Sequence, residues 1–292
     1  MRLPGLLAIA FWLLLPATCP AYDLLVVQSQ RSPVYEEVMR GFRSVAPYSQ
    51  RLIVLNEYID VDLQRIVREE KPLAIIALGD NALAAARRLK QIPVISLMAL
   101  TFRSGMGGHP ALTGIEVQIP PERYLGVFAG IKARRVGIIT NMDRNATYLK
   151  LAQRQARRYD LELVVRDVKS PRDVAKQLDS LVGNVDSLWM LPDTSISSGE
   201  AADAFFFFSV SRGVPVITFS SAYLATGAAI AVEIDRFDIG RQGGEMFNSM
   251  LDGEAADVIP PAMPRKSRVK TNPSVLRRIG ISPELPALRG GS

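Results

Sequence analysis

The chain has 292 residues, of which 48% are hydrophobic and 22% charged, and its formal net charge is +6. This length is sufficient for two lobes of about 120 to 130 residues each, and the composition excludes a disordered or low-complexity protein. Because Cys19 is the only cysteine, the fold cannot depend on disulfides. The bases are interspersed with acids and cluster only at residues 154–158 and 265–270, which favours a solvated basic surface over an anionic-ligand, phospholipid or nucleic-acid site.

Residues 1–21 have the pattern of a secretory signal. Arg2 supplies a positive charge, residues 6–15 form an apolar core, and residues 16–21 end in small residues. A transmembrane anchor needs about 20 apolar residues, so an uncleaved span is not favoured. We expect cleavage at the end of this segment and a mature chain in the periplasm or another extracytoplasmic space, without stable membrane insertion. Lipidation of Cys19 is an alternative, although the residues just before it fit that signal poorly.

The first half of the mature chain contains successive strand–helix units. Short apolar runs are each followed by a polar loop and a helical pattern, at residues 24–27, 52–55 and 73–78. Continuous apolar runs of this length are typical of buried parallel strands. Ser32 and Pro33 predict the start of the first helix, and Asp60 predicts the cap of the second. This order predicts a parallel α/β sheet.

Gly79 and Asp80 lie where the third strand turns into its helix. Asp80 could cap the helix by accepting hydrogen bonds from its free N–H groups. Alternatively, Gly79 could let a ligand approach the backbone while the helix N-terminus binds an anionic group. His109 follows in a glycine-rich loop, and because the chain has no second histidine we predict neither a metal site nor a catalytic triad there.

The same pattern repeats after residue 116. Further apolar runs predict strands at residues 136–139, 161–165, 187–191 and 214–218. Pro121 predicts one helix start, and Ser170 followed by a proline and an acid predicts another. The helix at residues 200–212 carries consecutive phenylalanines at 205–208. Most of these rings should be buried, and an exposed one could contact a partner.

A series of motifs in the second half resembles a known family. The motifs are Trp-Met-Leu-Pro-Asp (189–193), Gly-Val-Pro-Val (213–216), Gly-Ala (227–228), Ile-Asp (234–235), Gly-Arg-Gln-Gly-Gly-Glu-Met (240–246) and Leu-Asp-Gly (251–253). Residues 113–115 and 136–138 also fit. In this order and spacing they resemble the substrate-binding proteins of ABC transporters, in the branch that includes tryptophan- and tyrosine-type binders. The resemblance spans nearly the whole mature chain.

The resemblance implies the type I periplasmic binding protein fold, in which two doubly wound parallel-sheet α/β lobes are joined by a three-strand hinge. It places the N-terminal lobe at residues 22–113 plus 236–257, the C-terminal lobe at residues 114–235 plus 258–285, and a flexible tail at residues 286–292. The hinge residues are expected to be Thr113, Gly114, Ile115, Ile234 and Arg236, with a third crossing near residues 258–263.

Ligands of open α/β sheets bind beyond the carboxyl ends of the strands, where two facing lobes would form a cleft. The loops at these ends carry hydroxyls, amides and acids. The candidate ligand-binding residues are Ser29, Gln30, Ser32, Gly79, Asp80, Thr101, Phe102, Asn141, Asn145, Asp193, Thr194, Ser220, Tyr223 and Asp235.

Roles for some of these residues follow from their chemistry. Asp193 could accept hydrogen bonds from a ligand ammonium, or it could cap a helix. The hydroxyls of Ser29, Ser32 and Thr101, together with backbone N–H groups, would hold a ligand carboxylate.

Other residues could contact the ligand's side chain or a second charge on the ligand. Phe102 or Tyr223 could stack on an apolar ligand side chain. The loop after the first strand is more polar and basic than expected of aromatic amino acid binders, and Arg31 and Arg103 could admit a second negative charge.

These observations favour a monomeric extracytoplasmic solute-binding protein that captures an amino acid or similar small polar or aromatic metabolite for an ABC permease. The chain lacks the nucleophile-elbow, phosphate-loop, zinc-protease and dinucleotide motifs, so we expect neither an enzyme nor a cofactor or metal. The main alternative is a sensing protein that uses the same cleft and docks on a receptor or kinase ectodomain. An α/β enzyme that uses scattered carboxylates is a further alternative.

Overall fold

The computed structural model of the protein describes residues 22–103, 109–196 and 198–288 and contains a five-stranded and a six-stranded sheet. The predicted signal sequence and Cys19 lie outside the described residues. In the part of the chain that is described, no helix is both long enough and apolar enough to cross a membrane. Hydrophobic clusters cover both faces of each sheet. The prediction of two doubly wound α/β lobes is therefore confirmed.

The first sheet belongs to the N-terminal lobe, and all its strands are parallel. In chain order the strands are β1 (Leu24–Gln28), β2 (Gln50–Val54), β3 (Ala74–Leu78), β4 (Val94–Leu97) and β5 (Leu112–Gly114). The helices are α1 (Pro33–Arg43), α2 (Leu63–Glu70) and α3 (Asp80–Ala86). The spatial order is β2-β1-β3-β4-β5. The order reverses between β1 and β3, the kind of point at which ligands of open α/β sheets commonly bind, beyond the carboxyl ends of the strands.

The central strands β1 and β3 are buried along their whole length, as expected for strands covered on both faces. Their side chains alternate between two cores. Leu25 packs into the cluster that contains Leu63 of α2, whereas Leu24 packs into the cluster that contains Phe42 of α1. The apolar runs of the sequence therefore fix both layers of the lobe.

The helix starts of this lobe are set by caps. Ser32 Oγ accepts a hydrogen bond from the Val34 N–H at 3.2 Å, and Pro33 is the first residue of α1, as predicted. For α2 the predicted cap was wrong. Asp62 rather than Asp60 accepts from the Arg65 N–H, at 2.8 Å, because the helix begins directly after the second of these two acids.

The second sheet belongs to the C-terminal lobe. Its strands are β6 (Arg135–Thr140), β7 (Glu162–Asp167), β8 (Ser187–Trp189), β9 (Val216–Thr218), β10 (Ile230–Ile234) and β11 (Ser267–Thr271). Its helices are α4 (Pro121–Gly130), α5 (Met142–Ala156), α6 (Val174–Asp179), α7 (Gly199–Arg212) and α9 (Pro273–Arg278). The spatial order is β11-β10-β9-β8-β6-β7, and only β11 is antiparallel to its neighbour.

Helix α8 (Arg236–Leu251) follows β10 but packs on the N-terminal lobe. Its Ile239 and Phe247 are buried in the same cluster as Phe42 of α1. The two helices approach closely at glycines. A Cβ at Gly240 would lie 1.8 Å from the Val38 carbonyl oxygen, and one at Gly41 would lie 1.9 Å from the carbonyl oxygen of Phe237. The glycines of α8 therefore serve helix packing.

The chain passes between the lobes at β5 to α4, at β10 to α8, and at α8 to β11. The first and third passages run side by side, because Ile115 forms a parallel bridge with Ala262. The Ala262 N–H donates to the Gly114 carbonyl at 3.1 Å, and the Glu116 N–H donates to the Ala262 carbonyl at 2.9 Å. At the second passage, the Asp235 N–H donates to the carbonyl of Lys266 at 3.1 Å.

The end of the described chain also belongs to the C-terminal lobe. Leu276 of α9 and Leu288 are both buried in the cluster built by α4 and α5. Leu288 falls within the segment predicted to be a tail, and it lies in a short 3-10 turn, Pro286–Leu288. Packing of this residue fixes the end of the described chain to the second lobe.

Candidate ligand-binding cleft

A cleft lies between the carboxyl ends of the two sheets and divides into two adjoining pockets that share Leu100, Val117 and Pro192. The polar pocket, of about 40 Å³, is lined in addition by Ala99, Thr101, Phe102, Arg103, Glu116, Gln118, Arg144, Asn145, Asp193 and Thr194. The apolar pocket, of about 230 Å³, is lined in addition by Val34, Met98, Phe219, Ser220, Glu233, Ile234 and Arg236. Both lobes contribute to both pockets.

The loop at residues 99–103 forms the N-terminal-lobe wall of the polar pocket, and α3 holds it in place. Thr101 donates its N–H and its hydroxyl to Asp80 Oδ1, at 2.7 and 2.6 Å. Arg87 Nη2 donates to the carbonyls of Thr101 and Phe102, at 3.0 and 3.1 Å. Asp80 therefore neither caps its helix nor lines the two pockets, and its carboxylate positions the loop instead.

The start of α3 is organised by Ser29. Its Oγ accepts a hydrogen bond from the Ala82 N–H at 3.0 Å, which supplies a helix cap from a distant segment. Gly79 precedes the helix with φ +87°, and a Cβ there would lie 2.2 Å from the hydroxyl of Tyr35. Burial, followed by the charge of Asp80, raises the pKa of Tyr35, so this hydroxyl stays neutral. Capping of α3 explains Ser29 without a ligand, and the close contact with Tyr35 explains Gly79.

Asp193 is the centre of the C-terminal-lobe wall and is only 3% exposed. Its Oδ2 accepts hydrogen bonds from the Thr140 hydroxyl at 2.5 Å, the Asn141 N–H at 2.7 Å and the Asn145 amide at 3.0 Å. Its Oδ1 accepts from the Ser195 N–H at 2.7 Å. The carboxylate thus joins the end of β6, the start of α5 and the loop after β8.

The amide of Asn145 is oriented by these contacts. Because its nitrogen donates to Asp193 and to Thr140 Oγ1, its oxygen points the other way and accepts from Gln118 Nε2 at 2.5 Å. Asn141 has a different task, since its side chain caps α5 by accepting from the N–H groups of Asp143 and Arg144. Asn145 and Gln118 therefore present a defined pair of amides to the polar pocket.

Both arginines proposed to admit a second negative charge are bound to acids. Arg103 Nε donates to Glu116 Oε2 at 2.9 Å, and its Nη2 contacts the other carboxylate oxygen. Arg31 Nε and Nη2 donate to the two oxygens of Glu57, at 2.7 and 3.1 Å, on the exposed surface. Each of these charges is matched within the protein.

A second charge cluster lies beside the apolar pocket, near the end of β10. Glu233 accepts from Lys270 at 2.7 Å, from Arg236 at 3.1 Å and from the Ser221 hydroxyl at 2.9 Å. Burial raises the pKa of Glu233, but hydrogen bonds from Lys270 and Ser221 outweigh it and hold the pKa below its ordinary value. Arg236 also reaches Glu37 of α1, at 3.6 Å, and so links the two lobes.

Six of the predicted ligand-binding residues line the two pockets, namely Thr101, Phe102, Asn145, Asp193, Thr194 and Ser220. Of the rest, Ser32 is a helix cap and Gln30 is exposed. Tyr223 packs its ring on Phe206 and Phe219, with centroids 5.8 and 5.6 Å apart. Asp235 caps α8, pairs with Arg268 at 2.7 Å and lines a separate cavity of about 90 Å³.

Among the residues that the structure describes, no group of His, Cys, Asp and Glu side chains could hold a metal ion. His109 has a structural role. Its Nδ1 accepts from the Ala111 N–H at 3.1 Å, so its proton lies on Nε2, which donates to the Leu89 carbonyl at 3.2 Å.

A family model described as ABC transporter substrate binding protein matches residues 62–285. The chain belongs to this family. Proteins of the family bind substrates outside the cytoplasm and are binding proteins rather than enzymes. The family identified from the sequence motifs is therefore confirmed.

A curated relative from Clostridioides difficile (strain R20291), named tyrosine-binding protein, is 23% identical over 228 residues. The match covers 74% of this chain and 65% of the relative, so the chain spans less than two thirds of that protein's length.

Two solved structures show the same fold. One is a ligand-free, open substrate-binding protein with adhesive properties from Clostridium difficile, 17% identical, with a TM-score of 0.68 over 92% of this chain and 98% of that chain. The other is an ABC domain from Streptococcus pneumonia in complex with L-Trp, 17% identical, with a TM-score of 0.63 over 90% and 96%. The predicted type I periplasmic binding protein fold is confirmed.

Proposed function

We propose that the protein captures an amino acid or a similar small metabolite in the cleft between its lobes and delivers it to an ABC importer. The observation that supports this most strongly is the division of the cleft. A polar pocket lined by amides and charges adjoins a larger apolar pocket, and both lobes contribute to each. Such a site suits a ligand with a polar head and an apolar side chain. The tyrosine-binding relative and the L-Trp complex agree with that class.

The polar head would meet Asn145, Gln118 and Thr194. Asn145 donates to Asp193 and accepts from Gln118, and these contacts support a fixed arrangement of the two amides. A ligand ammonium on Asp193 would add a donor to a carboxylate that already accepts four hydrogen bonds. We therefore propose that Asp193 acts mainly by orienting Asn145. Thr101 gives both its donors to Asp80, so its backbone and methyl group, rather than its hydroxyl proton, would face the ligand.

A thermal-shift screen tests this function. The purified protein is heated with amino acids, purines, sugars and organic acids, and each hit is titrated calorimetrically. A ligand that binds only the folded protein raises the unfolding midpoint with concentration. We expect amino acids with large apolar side chains to give the largest shifts. If no compound in the panel raised the midpoint of a cooperatively unfolding sample, the proposal would be wrong.

We also propose that residues 1–21 export the protein and that the mature chain acts as a monomer in the periplasm. Expression of the full chain in a Gram-negative host, followed by fractionation and intact mass measurement, tests this. We expect a periplasmic species that begins at Tyr22. A membrane-bound species with lipid attached to Cys19 would instead establish the anchored form. Delivery to an importer predicts permease and ATPase genes beside this one, whereas a neighbouring receptor kinase gene would indicate sensing.

A further inference from the structure

Among the described residues, three arginines line the two pockets of the cleft, and two of them are neutralised by acids of the protein. Arg103 is paired with Glu116, and Arg236 is paired with carboxylates on both sides of the cleft. Arg144 differs, because it forms no ion pair with any acid among the described residues. Its Nη1 donates to the hydroxyl of Thr194. A guanidinium has five N–H donors, and Arg144 is exposed and lines the polar pocket, so most of its donors are available to a ligand there.

The position of Arg144 is fixed by its helix. It lies in the first turn of α5, where its backbone N–H donates to the Asn141 cap at 3.2 Å. The next residue, Asn145, is buried and tied to Asp193, which aims this turn of the helix at the cleft. A cation in the first turn of a helix opposes the helix dipole and weakens the helix. Helix stability therefore does not explain an arginine here.

We propose that Arg144 binds a carboxylate of the ligand and so restricts the cleft to anionic or zwitterionic solutes. This inference rests on the proposed function and narrows it. A guanidinium binds a carboxylate through two parallel hydrogen bonds. The bound carboxylate would lie beside Thr194 in the polar pocket, with the apolar part of the ligand in the pocket lined by Met98, Phe219 and Ile234. Arg31 and Arg103, which the sequence suggested for a second negative charge on the ligand, are paired with acids of the protein.

The test compares carboxylates with their carboxamides. Calorimetry measures the affinity for L-tyrosine and L-tryptophan, or for the strongest carboxylate of the screen if neither binds, and for the matching neutral amide. The variants are Arg144→Gln, Arg144→Lys and, as a control, Arg154→Gln, which removes an exposed arginine of the same helix outside the two pockets.

We expect Arg144→Gln to weaken carboxylate binding by about tenfold or more while amide binding changes by less than about twofold. Arg144→Lys should retain part of the preference for the carboxylate over the amide, and Arg154→Gln should bind both like the wild type. Equal loss for carboxylate and amide would show a merely structural role and overturn the inference, as would unchanged binding in Arg144→Gln. Solutes without a carboxylate as the strongest hits would overturn it while leaving the solute-binding function intact. If no solute bound the wild type, the proposed function would fail first.

Discussion

Asp193 joins three segments of the C-terminal lobe through one buried carboxylate. Its two oxygens accept from Thr140, Asn141, Asn145 and Ser195. In Asp193→Asn, an amide group replaces one oxygen and faces at least one donor. We expect the free energy of unfolding to fall by about 2 to 3 kcal/mol, as measured by urea denaturation, together with weaker ligand binding because Asn145 loses its orientation.

The matched control is Asp179→Asn, at an exposed position at the end of α6. It should change the free energy of unfolding by less than about 0.5 kcal/mol. Equal stabilities of Asp193→Asn and wild type would contradict the positioning role of Asp193.

His109 predicts a pH dependence of stability. Burial, followed by the positive charges of Lys90 and Arg87, lowers its pKa more than the Leu89 hydrogen bond raises it. The unfolded chain therefore binds this proton more tightly than the folded one. The contribution of His109 to the free energy of unfolding is full above the ordinary histidine pKa of about 6.5 and is lost as the pH falls below it.

Urea denaturation between pH 7.5 and pH 5 measures this effect. His109→Gln should lose less stability than wild type as the pH falls, because glutamine supplies a donor and an acceptor but does not titrate. All other titrating groups are common to both proteins. Identical slopes for wild type and His109→Gln would show that the imidazole does not titrate differently on folding.

At the scale of whole elements, the contact between α1 and α8 holds α8, the last helix of the N-terminal lobe, against the rest of that lobe. A Cβ at Gly240 would lie 1.8 Å from the Val38 carbonyl oxygen and 2.7 Å from the Phe42 nitrogen, and both atoms are backbone. Gly240→Ala must therefore push the helices apart. We expect it to destabilise the protein by about 1 to 3 kcal/mol, as measured by thermal unfolding.

Gly126 on α4 provides the comparison, because a Cβ there would meet no heavy atom within 4 Å. Alanine favours a helix over glycine by about 1 kcal/mol. Gly126→Ala should therefore leave the stability unchanged or raise it. If Gly240→Ala and Gly126→Ala changed the stability in the same direction, close packing would not be the reason for glycine at residue 240.

The order of these elements could be predicted because its signals are local. Ser32 with Pro33, and Pro121, mark helix starts in the sequence, and α1 and α4 begin where they predict. The partner of Asp80 could not be predicted. Thr101 lies 21 residues further along the chain and meets Asp80 only because β3 and β4 pair in parallel. The hydrogen bonds of Asp80 are a property of the sheet, not of its own segment.

Only part of the site could be predicted, because the sequence carries local signals and not tertiary contacts. Strand ends identify the loops that face the cleft, but they do not give the directions of side chains. Tyr223 lies in such a loop, yet its ring packs on Phe206 and Phe219. Arg144 is one of many exposed cations in the sequence. What distinguishes it from Arg103 and Arg236 is that these two pair with acids, and the Arg103–Glu116 and Arg236–Glu37 pairs join segments that are distant in the sequence.

At the scale of the molecule, the basic cluster at residues 265–270 pairs with acids of β10, of α8 and of the N-cap residue between them. Arg265 pairs with Asp238 and Glu245, Arg268 with Asp235, and Lys270 with Glu233. These pairs surround the second and third passages between the lobes. Much of the concentrated positive charge is therefore matched by acids beside these passages.

Those crossings predict that the lobes close on the ligand. The first passage is a short strand with Gly114 at φ +154°, bridged to the third passage through Ile115 and Ala262, and such thin connections absorb hinge rotation. Spin labels at exposed positions of each lobe, Glu69→Cys on α2 and Lys176→Cys on α6 in a Cys19→Ser background, report the distance between lobes. Pulsed electron resonance should show this distance becoming shorter and more narrowly distributed when the strongest solute of the screen is added.

A pair within the N-terminal lobe, Glu69→Cys with Arg88→Cys, should keep its distance, because both sites move with one rigid sheet. Closure also predicts that a disulfide across the cleft abolishes ligand exchange, since the solute can enter and leave only when the lobes separate. Two rigidly associated domains would behave differently. Their interlobe distance would be the same with and without solute, and a covalent link between them would leave the rate of exchange unchanged.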